Sequence, residues 1–153
     1  MSSRTTRALV AFAVIAVLAA VAAAGCGSSG DSDAARDAAV LNAIGILDGA
    51  GLHAIDDSIN DDKTIPADAR TVALKLQAVT ALTEWPKELS TQADALERIF
   101  AEMVTALSGD KPDVARAGEA AAKAHDAQHE FSGKVWAHLY EEAGIKVEGA
   151  GVH

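Results

Sequence analysis

Five histidines and a scatter of acids are the side chains of this chain that could do chemistry. His125 and His129 stand one helical turn apart, a spacing that lets two imidazoles reach one metal ion. On a helical wheel Asp48 falls between Ile44 and Leu52, inside an apolar sector, where a carboxylate needs a partner. Gln128 and Ser132 share the His125 face. These five residues support two readings. Asp48 pairs with His125 and fixes the helix register, with His129 at the edge of the buried arc. Alternatively, His125, His129 and Asp48 ligate a transition metal ion, with Gln128 and Ser132 supporting them. The pairing reading takes precedence, because a core-facing histidine more often bonds a neighbouring carboxylate.

Other pairs carry less. Asp126-Ala-Gln-His129 has the acid-x-x-His spacing of di-iron bundles, but a second such element is missing. His53 and Asp57 have the spacing of one hemerythrin ligand pair, yet they project opposite Ile44 and Ile55, as a solvated pair would. Met103 with His125 could serve as an axial haem pair, although methionine on a leucine stripe is usually packing. His138 sits among charged residues and is expected in solvent. No glycine-rich phosphate loop opens a helix and no serine stands in a nucleophile elbow, so an enzyme is not expected.

The elements that must hold these residues are helices. Half of the 153 residues are hydrophobic but only 4% are aromatic, with three prolines, a composition that favours packed helices over sheet. Punctuation gives four helices: from Ser32 or Asp33 to about Ile59, from Pro66 to Trp85, from Pro86 or Lys87 to Ser108, and from Pro112-Asp113 to Gly144. Apolar stripes run along each: Val40, Leu41, Ile44, Leu47, Gly51, Leu52, Ile55 and Ile59 in the first, and Leu89, Ala93, Leu96, Ile99, Phe100, Met103 and Leu107 in the third. The fourth carries Ala117, Ala121, Ala124, Phe131, Val135 and Leu139. The expected fold is all-α, an up-and-down antiparallel four-helix bundle; the alternative is three helices with a kink at Pro86. Gly45, Gly49 and Gly51 in the first helix imply either close helix approach or a bend beside Asp48, with close approach the first choice. Trp85, Trp136 and Tyr140 are expected to plug the ends or a groove.

The N-terminus reads as an address. Arg4 and Arg7 precede an apolar run from Ala8 to Ala24, and small residues lead to Cys26, the single cysteine. Ala23-Ala24-Gly25-Cys26 resembles the lipobox of bacterial lipoproteins. The resemblance covers residues 1–26 and implies removal of the signal peptide, 1–25, and acylation of the Cys26 thiol. It further implies anchorage to the cell membrane on the extracytoplasmic face, or in the periplasm. Residues 26–33 then form a flexible tether, 34–145 the bundle and 146–153 a frayed tail. All 22 acids lie after Cys26, so loss of Arg4 and Arg7 leaves 11 bases and a net charge of −11. Such a body does not read nucleic acid through a basic face. Its partners are the membrane, through Cys26, and an envelope protein or small ligand.

Overall fold

The computed structural model describes residues 29–146, with side chains from Asp33 onward. The expected signal peptide, Cys26, the first tether residues and the end of the tail lie outside the described residues. The chain divides into two compact units between Ala35 and Arg36, and the fold described here is that of the second.

Five helical segments follow in order: α1 (Ser29–Asp48), α2 (Leu52–Asn60), α3 (Ala69–Leu82), α4 (Lys87–Ala106) and α5 (Val114–Glu142), with no strand among the described residues. They make four antiparallel rods, the first of them broken into α1 and α2. The main packed pairs are α3 with α4, α4 with α5, and α2 with α5. Helix α1 opens at Ser29, inside the segment expected as tether.

The break in the first rod corrects the continuous helix expected to Ile59. Gly51 takes a left-handed φ of 74° and separates the two segments, a conformation that glycine alone adopts at little cost. A Cβ at Gly45 or Gly51 would meet nothing within 4 Å, so close approach is not what these glycines serve. Close approach occurs instead at Gly118 of α5, where a Cβ would fall 2.2 Å from Asn60 Oδ1.

Between α3 and α4 the chain turns rather than kinks, which removes the three-helix alternative. Thr83 is extended (ψ 130°) and Pro86 has ψ 144°, so no helical hydrogen bonding can cross. Trp85, buried there, donates its indole N–H to Thr80 O at 2.8 Å and meets Phe131 edge-on at 4.9 Å. Helix α3 is shorter than expected at both ends. Asp113 caps α5 by accepting from Arg116 N at 2.8 Å. Gly144 (φ 66°) closes α5: Ile145 N donates to Tyr140 O at 2.8 Å and Gly144 N to Glu141 O at 3.0 Å, the two bonds of a Schellman motif.

The core runs from Val40, Ile44 and Leu47 through Leu52, Ile55 and Ile59 to Leu76, Leu96, Phe100, Met103, Phe131 and Val135. Met103, at 0% exposure, is packing. Leu41, expected inside, is half exposed, and Gly51 is exposed too. The stretch Asp33–Asn60 is long and apolar enough to count as a candidate membrane span, with mean hydropathy 1.5. Its buried residues nevertheless belong to the same core as those of α3, α4 and α5.

Candidate functional site

A polar seam runs between the first rod and α5. As residue numbers rise from Asp48 to Asn60 they fall from Trp136 to Gly118, as antiparallel packing requires. At one end Asn60 Nδ2 donates to Gly118 O at 3.0 Å and to Asp56 Oδ1 at 2.7 Å. The other Asp56 oxygen lies 2.9 Å from His125 Nδ1. His125 Nε2 then meets His129 Nε2 at 2.9 Å and His53 Nδ1 at 3.3 Å. His53 Nε2 lies 3.3 Å from Asp57 Oδ2. At the far end Asp48 accepts from Ser132 Oγ at 2.6 Å, Gln128 Nε2 at 2.8 Å and Trp136 Nε1 at 3.0 Å.

This arrangement corrects the expected pairing. Asp48 is the last residue of α1, exposed, and bonds Gln128, Ser132 and Trp136, while the carboxylate on His125 is that of Asp56. The wheel that put Asp48 inside assumed one phase through Gly51, where the helix in fact ends and restarts. Gln128 and Ser132 are buried as expected, but serve Asp48 rather than a histidine. His125 and His129 do come together, their ring centroids 4.6 Å apart. His53, expected as half of a solvated pair with Asp57, keeps that contact and adds His125, with ring centroids 4.9 Å apart. Asp56 and Asn60 were missed. The signal for Asp56 was its place one turn beyond Leu52, at the flank of the buried Leu52–Ile55–Ile59 stripe.

A cleft of about 430 Å³ opens over this seam, lined among others by Asp48, His53, His125, Gln128, His129 and Trp136. Its chemical character is graded. His125 is largely covered, with 14% of its side chain exposed, against 72% for His53. His129 is exposed. Beside His129, Lys134 bonds Glu130 at 2.6 Å; that hydrogen bond first, and the ammonium charge second, hold the Glu130 carboxyl below the usual range. Trp136 forms one wall and stacks on Tyr140 at 5.9 Å. His138, expected in solvent, is mostly covered and lies 3.1 Å from Glu88 Oε1.

The cleft brings together three imidazoles, one carboxylate and an amide, a set suited to holding a polar ligand or a cation. Asp126, of the acid-x-x-His element, is exposed. Comparison with protein families, with curated proteins and with solved structures finds no match for this chain.

Proposed function

We propose that the protein is a lipid-anchored, extracytoplasmic binding module whose helical body offers the cleft between the first rod and α5 to a small ligand. The cleft carries this reading: its polar side chains are held by cross-helix bonds before any ligand arrives, and such preorganisation lowers the cost of binding. The anchor rests on Cys26, the single cysteine, standing directly after Ala23-Ala24-Gly25. Two acyl chains on that thiol would hold the body stably at a membrane.

A binding role is preferred to catalysis because Ser132, a hydroxyl within the cleft, donates to Asp48 and not to an imidazole. It lacks the base–nucleophile relation that acyl transfer requires. A second reading, a metal-binding bundle, is favoured by the convergence of imidazoles. It changes the expected ligand set of His125, His129 and Asp48, since Asp48 is bonded elsewhere.

The anchor is tested by fractionation and mass spectrometry. Wild type is expected in the membrane fraction with a diacylglycerol adduct on Cys26, and Cys26→Ser is expected to lose both; an adduct retained in that variant would refute the anchor. The cleft is tested through Trp136 fluorescence against a panel of polar metabolites and metal ions. A spectral change that disappears in Trp136→Phe supports the site, whereas a panel-wide absence of response overturns it.

A further inference from the structure

A carboxylate fixes which nitrogen of the central imidazole carries the proton. An ionised carboxylate only accepts hydrogen bonds, so Asp56, 2.9 Å from His125 Nδ1, keeps the proton there. Neutral His125 then has its bare lone pair at Nε2. His53 Nδ1 stands 3.3 Å from that nitrogen and His129 Nε2 2.9 Å from it. One imidazole lone pair accepts one hydrogen, so two further ring nitrogens crowd a position that a single donor can fill. A cation held by all three nitrogens resolves that crowding.

We propose that His53 Nδ1, His125 Nε2 and His129 Nε2 bind a divalent transition metal ion, Cu²⁺ in preference to Zn²⁺. The proposal rests on the cleft being the binding site and names its ligand. As they stand, the described residues contain no group of three His, Cys, Asp or Glu side chains that could hold a metal ion; the rings bond one another instead, and binding requires them to turn. Metal–imidazole bonds of about 2.0–2.1 Å place neighbouring nitrogens roughly 3 Å apart at angles near 90–110°, the range in which 2.9 and 3.3 Å fall. His125 is held by Asp56, itself tethered by Asn60, whereas His53 and His129 are exposed and can turn to meet an ion.

The surroundings suit a dication. Asp56 and Asp57 sit on the far nitrogens of two ligand rings, the carboxylate–histidine–metal relation that orients a ring and raises its basicity. Their two negative charges balance the two positive charges of the ion. A set of three imidazoles without thiolate favours Cu²⁺ among divalent ions. Three protein ligands leave a coordination position for water or a small molecule from the cleft. Asp48 is no ligand, its oxygens being taken by Gln128, Ser132 and Trp136.

The test is calorimetric titration of the full chain, purified without a polyhistidine tag, with Cu²⁺ and separately with Zn²⁺, alongside the copper electron paramagnetic resonance spectrum. One equivalent is expected, with nitrogen hyperfine structure and tighter binding of Cu²⁺. Loss of His53 or His129 to alanine should weaken binding at least tenfold, and Asp56→Asn roughly tenfold or more, while Glu88→Gln, whose carboxylate meets His138 outside the cleft, should leave it unchanged. Should His125→Ala fail to fold, the exposed His53 and His129 variants carry the test, their circular dichroism confirming an intact bundle. Binding that survives both His53→Ala and His129→Ala would overturn the proposal. So would no binding of either ion by wild type; if Trp136 still responded to an organic ligand, the cleft would stand as a binding site without the metal.

Discussion

Asp56 is the most covered carboxylate of the seam, and it fixes both Asn60 and His125. Replacing it by alanine strands a ring N–H and an amide N–H, both partly buried, and should cost about 1–3 kcal/mol. Asp48 accepts three bonds but is exposed, so water can take over when it is removed. Asp48→Ala should therefore cost less, about 1 kcal/mol. Urea unfolding of both variants checks the order, with the denaturant slope unchanged. A larger loss at Asp48 would mean that the seam is anchored at the Trp136 end.

At the scale of the helices, the glycines separate into three kinds. Gly51 needs its left-handed φ of 74° to break the first rod, so Gly51→Ala should destabilise by roughly 1–2 kcal/mol. Gly45 lies within α1 with open space where a Cβ would stand. Gly45→Ala should be stabilising by up to about 1 kcal/mol, the difference in helix propensity. Gly118→Ala would drive a methyl onto Asn60, costing that side chain its bonds to Gly118 O and Asp56. A loss of about 1 kcal/mol is expected there. Thermal melts of the three variants should show opposite signs at Gly45 and Gly51, and equal effects would contradict the break.

For the molecule as a whole, stability comes from a core that all four rods share. Leu96 and Phe131 are buried in it at 2% and 3% exposure. Leu96→Ala and Phe131→Ala should each cost about 2–5 kcal/mol, as core truncations do. Phe131 also supports Trp85 edge-on, so its loss should alter the near-ultraviolet signal of that indole as well as the midpoint. Far-ultraviolet circular dichroism should show helix alone, and negligible destabilisation by both changes would remove these residues from the core.

The sequence by itself determined the helical class, the helix boundary at Pro86, the start of the last helix at Pro112-Asp113 and its end at Gly144, whereas the structure decided between a turn and a kink at Pro86. The boundaries follow from local chemistry: a missing N–H or a glycine at a helix end. The Leu89–Leu107 stripe was legible for the same reason, because α4 is unbroken and its period holds throughout. The seam was legible only in part. Three closely spaced glycines allow a break without stating whether one occurs, and a wheel drawn through them carries the wrong phase into α2. That error put Asp48 inside and left His53 with Asp57 as a solvated pair apart from His125. The pairing of Asp56 with His125, across 69 residues of chain, depends on the register of two antiparallel rods. Packing of the shared core sets that register, and no spacing along a single helix encodes it.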